Sequence, residues 1–248
     1  MKTLFIGQRL IQLDKVESTN IFASELISNS FVPEGTLITA KEQTLGRGQR
    51  GTSWISEPGK NIILSVVLKP AFLSVTNQFQ LNKALALAVR DLFLHYTLNN
   101  VTVKWPNDIY INDAKLAGIL IQNQIKNAFI TYSIVGIGIN VNQEKFPWDI
   151  PHANSLKNIT GIDYNLNECI EKLCEYIEKR YLQLRSNFTI DTEYLQNLYK
   201  FDQQADFLVN EQFVKGKITG ITTQGKLVVT HSENCIKHYD LKEIKFYP

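Results

Sequence analysis

Three segments of the 248-residue chain carry the side chains best suited to chemistry. The first is the loop 43–51, Gln-Thr-Leu-Gly-Arg-Gly-Gln-Arg-Gly. Its glycines let the backbone approach a ligand closely and adopt positive φ, and its arginines are planar, permanently charged donors for phosphate or carboxylate. The loop lacks the Gly-Lys-Ser/Thr ending of a P-loop. Taken alone, it fits an anion-binding loop and a solvated turn equally well.

A lysine and an aspartate mark the second segment, in which Lys104-Trp105-Pro106-Asn107-Asp108 precedes Lys115-Leu116-Ala117-Gly118-Ile119-Leu120. Lys115 heads an apolar stretch, where burying an unpaired ammonium is costly unless a carboxylate or phosphate lies nearby. Asp108 could orient that lysine or hold a magnesium ion. Gly118 inside a strand indicates close approach of a ligand or another backbone. The alternative for Lys115 is an exposed strand end.

Two glycines distinguish the third segment, Gly136-Ile137-Gly138-Ile139-Asn140-Val141-Asn142. They leave a flat, narrow wall, and Asn140 offers both a donor and an acceptor. The segment is not a dinucleotide-binding fingerprint, because the third glycine and the following helix are absent. A ligand wall and a strand packed tightly against a helix are both compatible with it.

Composition excludes several other classes of protein. The formal net charge is +2 without a lysine or arginine tract, which gives no support for nucleic-acid binding. Residues 1–13 are too short and too polar for a secretory signal, and no stretch approaches the ~18–20 apolar residues of a membrane span. The spacing of Cys169, Cys174 and Cys235 suits neither disulfides nor a zinc site. We therefore expect reduced thiols in a cytoplasmic protein.

Strands and helices alternate in the region that must position these segments. Strands are predicted at 9–16, 36–40, 61–68, 101–104, 109–111, 115–125 and 129–141. Helices are predicted at 21–28, 80–96, 167–184 and 191–199, the first following a Ser-Thr-Asn cap signal. Helix 80–96 should present a core face made of Leu81, Ala84, Leu85, Ala88, Leu92 and His95.

Short strands replace this pattern near the end of the chain. They are predicted at 205–209, 212–222, 226–231 and 235–240, with turns at 223–225 and 232–234. Such spacing is typical of a small β-barrel. With a boundary near 188–203, we divide the chain into a domain of residues 1–200 and a β-barrel domain of residues 201–248.

Together, these motifs resemble the biotin–protein ligase family. The shared features are the Gly-Arg-Gly loop followed by Trp54, the strand 61–65 with its serine, and the opening Ser18-Thr19-Asn20. The blocks Lys-Trp-Pro-Asn-Asp, Lys-Leu-Ala-Gly-Ile-Leu and Gly-x-Gly-Ile-Asn are shared as well. The resemblance implies an α+β fold: a mixed β-sheet with flanking helices, similar to class II synthetases, and a C-terminal SH3-like β-barrel. It also implies an ATP-dependent ligase that forms biotinyl-5'-AMP and transfers biotin to a lysine of a biotin carboxyl carrier protein.

The resemblance also implies residue roles. The expected catalytic residues are Lys115, which would bridge the biotin carboxylate and the α-phosphate, together with Arg47, Arg50 and Asp108. Biotin would contact Ser18, Thr19, Asn20, Gln43, Arg47, Gly48, Gln49, Lys115, Gly118, Gly136 and Gly138. ATP would contact Arg47, Gln49, Arg50, Trp54, Lys104, Asn107, Lys115 and Asn140. Mg²⁺ would neutralise the pyrophosphate, and its protein ligands are not assigned.

One position departs from the family. Many members have arginine where this chain has Gln49, so we expect the neighbouring Arg50 to take more of the phosphate contact. The alternative is that Gln49 points to solvent and Arg50 is a surface charge.

Three further expectations concern function and partners. A lipoate–protein ligase and a non-catalytic biotin sensor or DNA-bound regulator are the competing functions. Because the catalytic region begins almost at Met1, with no room for a winged helix before Ser18, we expect a ligase-only chain without specific DNA binding. A homodimer is left open.

Overall fold

A seven-stranded mixed sheet forms the body of the protein. The computed structural model describes every residue except Met1, Pro151, Glu233, Asn234 and Pro248, and it leaves the side chain of Arg50 undescribed. The strands are β1 (Leu10–Val16), β2 (Thr36–Gln43), β3 (Ile62–Leu68), β4 (Val101–Lys104), β5 (Asp108–Ile111), β6 (Ala114–Lys126) and β7 (Phe129–Ile139). Their spatial order is β1-β2-β3-β7-β6-β5-β4. The β1–β2 pair is parallel and the other neighbours are antiparallel.

Helices cover both faces of this sheet. They are α1 (Thr19–Asn29), α2 (Phe79–Tyr96), α3 (Leu156–Thr160), α4 (Leu166–Arg185) and α5 (Asp191–Gln196). Helix α1 packs on one face, in a cluster that includes Ala23, Val67 and Ile134. Helices α2 and α4 belong to the main core on the other face, with Leu64 and Val66. All seven residues of β3 are buried because both of its faces are covered.

Three predicted features of this region need correction. His95 does not belong to the core face of α2: it is exposed, and its ring packs edge-on against Tyr96 at 4.9 Å. Helix α5 ends at Gln196 instead of residue 199, because the chain then pairs with the free edge of β4. Val103 donates to the carbonyl of Asn197, and Tyr199 donates to the carbonyl of Val103. The short helix α3 was not predicted.

The C-terminal region forms a five-stranded antiparallel sheet. Its strands are β8 (Gln204–Val209), β9 (Gln212–Ile221), β10 (Leu227–Thr230), β11 (Ile236–Tyr239) and β12 (Lys245–Phe246), in the order β11-β10-β9-β8-β12. The first four match the predicted strands within two residues, and β12 was not predicted. The fold class is therefore confirmed: a mixed sheet with flanking helices and a small barrel-like sheet. The division at residue 200 stays a prediction.

One contact between the small sheet and the body is made by the turn between β9 and β10. Trp105 donates its indole N–H to the carbonyl of Gly225, at 2.8 Å, in the turn between β9 and β10. Gly225 has φ +89°, and a Cβ atom there would lie 2.7 Å from Cγ of Phe79. Glycine is therefore required at this position for two reasons, its backbone conformation and the close approach of the Phe79 ring.

The remaining sequence-based exclusions concern cysteines and membranes. All three cysteines are free, Cys169 and Cys174 buried and Cys235 exposed, in agreement with the predicted absence of disulfides. Within the described residues, no helix combines the length and the apolar character needed to cross a bilayer.

We predict that Gly225→Ala lowers the melting temperature more than Gly161→Ala does. Both glycines have positive φ, +89° and +75°, so the backbone penalty is matched, but no atom lies within 4 Å of a Cβ at Gly161. The extra overlap with Phe79 should cost about 1–3 kcal/mol of unfolding free energy. Calorimetry on both variants measures it, and equal losses would show that the turn is not tightly held.

Candidate active site

A cavity of about 450 Å³ opens over the part of the sheet that α1 leaves uncovered. The strand register explains why this part of the sheet is accessible. Gly138 lies opposite Ile63 on β3 and Gly118 on β6, while Gly136 lies opposite Ser65 and Leu120. Three of the six positions on this floor therefore carry no side chain. The predicted flat wall is present, and it extends across two neighbouring strands.

One end of the cavity is a buried polar cluster at the start of α1. Asn20 packs on Gly136, where a Cβ would lie only 2.5 Å from its Oδ1. The Ser65 hydroxyl donates to Asn20 Oδ1 at 2.6 Å and lies 2.8 Å from the Thr19 hydroxyl. Gln43, at the end of β2, accepts from the backbone N–H of Thr19 at 2.8 Å and so caps the helix. The side chains at this end of the cavity are fixed by hydrogen bonds and can form hydrogen bonds with polar groups of a ligand.

The predicted glycine-arginine loop closes over the middle of the cavity. Gly48 donates to the carbonyl of Thr52 at 2.8 Å, and Trp54 donates to the carbonyl of Gly46 at 2.9 Å, so the loop pairs with itself. The indole of Trp54 then lies against the glycine floor, where a Cβ at Gly138 would be 2.7 Å from its Cζ2. Glycine at position 138 is what allows the tryptophan to lie there.

Two buried polar atoms of this loop have no hydrogen-bond partner among the described residues. They are Nε1 of Trp54 and Oε1 of Gln49, and both side chains line the cavity. An unsatisfied buried donor or acceptor costs about 1–3 kcal/mol, so a ligand that satisfies both would bind the more strongly. The buried oxygen of Gln49 also differs from the alternative in which this side chain points to solvent.

The charged side chains at the other end of the cavity are those of Lys115 and Asp108. Their side chains form an ion pair of 2.7 Å, and Lys115 Nζ lies 5.9 Å from the ring centroid of Trp54. Asp108 faces Gly118 across the β5–β6 pair, so glycine leaves space for the bridge. Of the two sequence-based interpretations of Asp108, this geometry favours the orienting one. Among the described residues, no group of three or more histidine, cysteine or acidic side chains could hold a metal ion.

Most of the predicted site residues line this one cavity. They are Ser18, Thr19, Asn20, Gln43, Arg47, Gly48, Gln49, Trp54, Asn107, Asp108, Lys115, Gly118, Gly136 and Gly138. The side chain of Arg50 lies outside the described part of the structure, so its role stays a prediction.

Two predicted residues do not line the cavity. Lys104 lines a second cavity, donates to the Tyr110 hydroxyl at 3.2 Å, and has its pKa lowered by burial. Asn140, the first residue after β7, is buried, and its amide donates to the carbonyl of Asn154 at 3.1 Å. Their predicted contacts with ATP remain untested.

Part of the cavity comes from residues that sequence reasoning missed. The C-terminal segment contributes Leu241, Lys242, Ile244 and Lys245. They lie between β11 and β12 or, for Lys245, in β12 itself, which pairs with β8 far from any motif in sequence. No local pattern marks such a long-range contact. Ser65 was noted as part of a motif, but its contacts with Thr19 and Asn20 were not predicted.

Comparison with known proteins decides the family. A sequence model described as the Biotin/lipoate A/B protein ligase family matches residues 13–140, about half of the chain. The chain belongs to this family. The "Bifunctional ligase/repressor BirA" of Bacillus spizizenii is 34% identical to it over 246 residues, covering 96% of this chain and 74% of that relative.

Two further members agree. The "Biotin--[acetyl-CoA-carboxylase] ligase" of Mycobacterium tuberculosis is 30% identical over 181 residues, covering 71% of this chain and 66% of that protein. The structure of "Biotin protein ligase from Aquifex aeolicus in complex with biotin and ATP" has a TM-score of 0.79 and 28% identity, covering 97% and 99% of the two chains. The resemblance to biotin–protein ligases is therefore confirmed, and so is the assignment to a ligase enzyme of the family.

We predict that Gly138→Ala displaces Trp54, whereas Gly220→Ala in β9 has little effect. An added Cβ at Gly220 would meet its nearest atom at an ordinary 3.8 Å. In a Trp148→Phe background, which removes the exposed indole, Gly138→Ala should shift the emission to longer wavelength and increase quenching by acrylamide. An unchanged emission spectrum would contradict the packing of Trp54 on this glycine.

Proposed function

We propose that this chain is an ATP-dependent ligase that forms biotinyl-5'-AMP and transfers biotin to a lysine of a biotin carboxyl carrier protein. The observation that supports it best is that one cavity unites a buried polar cluster, a glycine floor and the Lys115–Asp108 pair. Biotin is a bicyclic urea with a carboxylate at the end of a flexible chain. Its ring would match the polar cluster and the glycine floor, and its carboxylate would reach Lys115.

The polar cluster at the start of α1 suits the ureido ring of biotin. That ring presents two N–H donors and one carbonyl, and Ser18, Thr19, Asn20 and Gln43 offer both hydroxyl and amide groups. Because Ser65 and Gln43 hold Thr19 and Asn20 in place, few side chains would have to reorganise on binding. The bare floor at Gly136 and Gly138 leaves room for the ring to lie flat.

The first step joins the biotin carboxylate to ATP. A carboxylate oxygen attacks the α-phosphorus, the bond from that phosphorus to the β-bridging oxygen breaks, and pyrophosphate leaves with the electron pair. Since two anions must meet, a cation held between them stabilises the transition state. Lys115 takes this role in the proposal, because Asp108 fixes its ammonium at 2.7 Å within the cavity. Arg47, also in the cavity lining, would meet phosphate oxygens.

The second step transfers the biotinyl group to an acceptor lysine, which enters as a free amine. Its nitrogen attacks the acyl carbon, the C–N bond forms, the acyl C–O bond breaks, and AMP leaves with that electron pair. The nitrogen then releases a proton to water. No enzyme nucleophile is required, so the rate depends on positioning and on keeping water from the anhydride. The loop 46–54, closed by its own backbone pairing, supports the second requirement.

The described lining residues fit a magnesium ion only if it binds together with ATP. Asp108 is the one carboxylate among the described lining residues, and it already pairs with Lys115. Mg²⁺ commonly keeps several waters and binds through substrate phosphates plus one or two carboxylates. It would supply charge neutralisation on the leaving pyrophosphate, while the protein residues orient the reacting groups.

We predict that Lys115→Ala lowers biotinyl-adenylate formation about 10²–10³-fold, the effect of losing ~2.7–4 kcal/mol of transition-state stabilisation. Biotin-dependent pyrophosphate exchange measures it, with the melting temperature as a check on folding. Lys126→Ala, an exposed lysine at the far end of the same strand, is the matched control. Near-normal exchange by Lys115→Ala would rule out the role assigned to this lysine.

The family also includes lipoate ligases, and substrate binding separates the two. The Gly-Arg-Gly loop and the Lys-Trp-Pro-Asn-Asp block favour biotin. We predict that biotin raises the melting temperature, and that the shift keeps growing with the logarithm of its concentration above Kd, whereas lipoate leaves it unchanged at equal concentration. A larger shift with lipoate in a thermal titration would reverse the assignment.

Other expectations about partners stay predictions. Several relatives carry the name "Bifunctional ligase/repressor BirA". A salt-resistant gel-shift complex would overturn the expectation that this chain does not bind DNA specifically. The cytoplasmic location and the possible homodimer are likewise untested.

A further inference from the structure

A second cavity, which we call the Lys104 cavity, has a volume of about 490 Å³. It is lined by Lys104, Tyr110, Asp113, His152, Tyr199, Lys200, Phe246 and Tyr247. Neither the motifs nor the proposed reaction accounts for a cavity of this size at this place. Its walls come from β4, β5, the segment after α5 and the C-terminal segment, so it lies between the body and the small sheet.

The Lys104 cavity adjoins the active site at Lys115. The backbone N–H of Lys115 donates to the carbonyl of His152 at 2.6 Å, and Tyr110 lies opposite Lys115 in the β5–β6 pair. Lys245 lines the active-site cavity, while Phe246 and Tyr247, next in the chain, line the Lys104 cavity. A group bound in the second cavity is therefore separated from the reacting centre by little more than a single layer of chain.

Two ammonium groups give the Lys104 cavity positive charge. Lys104 Nζ donates to the Tyr110 hydroxyl at 3.2 Å, and Lys200 Nζ donates to the carbonyl of Tyr247 at 3.5 Å. Neither forms an ion pair with any described residue. Asp113, the one carboxylate among the lining residues, accepts a hydrogen bond of 2.6 Å from the Tyr199 hydroxyl. Two ammonium groups against one carboxylate leave the lining with a net positive charge, which favours an anionic occupant.

An exposed aromatic pair extends this surface outward. Phe213 and Tyr247 stack edge-on with ring centroids 4.7 Å apart, although 65% of Phe213 and 49% of Tyr247 remain exposed. Aromatic side chains are enriched in the buried cores of protein–protein interfaces. A polyphosphate would use the charges but not these rings.

We propose that the Lys104 cavity and the Phe213–Tyr247 pair form the docking surface for the acceptor domain. An acidic side chain close to the target lysine binds between Lys104 and Lys200, while the aromatic pair covers an apolar patch of the acceptor. The target lysine then approaches the adenylate from the side of Lys115. This proposal rests on the proposed function. The competing occupant is the phosphate chain of ATP, for which Lys104 was predicted from the sequence.

The two half-reactions separate these possibilities. We would prepare Lys200→Glu and the double variant Phe213→Ala/Tyr247→Ala, with Lys237→Glu and Ile236→Ala as matched controls. Both control residues are exposed on β11, at the opposite edge of the small sheet from β12. Each protein is assayed for biotin-dependent pyrophosphate exchange, for release of adenylate to hydroxylamine, and for transfer to a purified apo biotin carboxyl carrier domain of an acetyl-CoA carboxylase.

We expect kcat/KM for the carrier domain to fall tenfold or more in Lys200→Glu and in the double variant. Exchange, the KM for ATP and capture by hydroxylamine should stay within twofold of the parent, and both controls should match it in every assay. Unchanged transfer in both variants would overturn the docking surface, and so would a raised KM for ATP that parallels the loss. A parent that forms no adenylate would overturn the proposed function and this proposal with it.

Discussion

The active site depends on three places where a buried sheet has no side chain. Gly118 and Gly138 face each other across β6 and β7, and Gly136 lies two residues from Gly138 on the same face. A sheet of this kind normally fills such positions with branched residues that pack against a helix. Here the space receives Trp54, Asn20 and the edge of the ion pair. The loop, the helix start and the reactive lysine therefore meet because the floor is bare.

This arrangement is consistent with the proposed two-step transfer at a site that has little reactive chemistry of its own. The hydrogen bonds of Ser65 and Gln43 fix one end, the ion pair of Lys115 fixes the other, and the self-paired loop covers the middle. Rigid placement of this kind reduces the entropy that two substrates lose when they react. The position of the small sheet is fixed in a similar way, because the indole of Trp105 in the body hydrogen-bonds to the Gly225 turn.

Local patterns predicted most of the elements. The apolar periodicity of α2 and the continuous apolar run of β3 indicate a helix and a strand without reference to distant residues. The ends of elements were harder to predict. Helix α5 ends where the chain begins to pair with β4, and no local sequence pattern marks this pairing. The site followed the same division. Most residues of the motifs line one cavity, but the two lysines of one motif region lie apart: Lys115 lines this cavity and Lys104 lines another. Which cavity each would line depends on strand register and on a distant C-terminal segment.

The most direct test of the account is intact-mass measurement of enzyme and acceptor together. The protein is incubated with biotin, Mg-ATP and an apo carrier domain, with parallel reactions that lack ATP or contain lipoate instead of biotin. The account predicts that the carrier gains the mass of one biotinyl group only when biotin and ATP are both present, while the enzyme's own mass does not change. A lipoylated carrier, or a covalently biotinylated enzyme intermediate that transfers its group to the carrier, would contradict it.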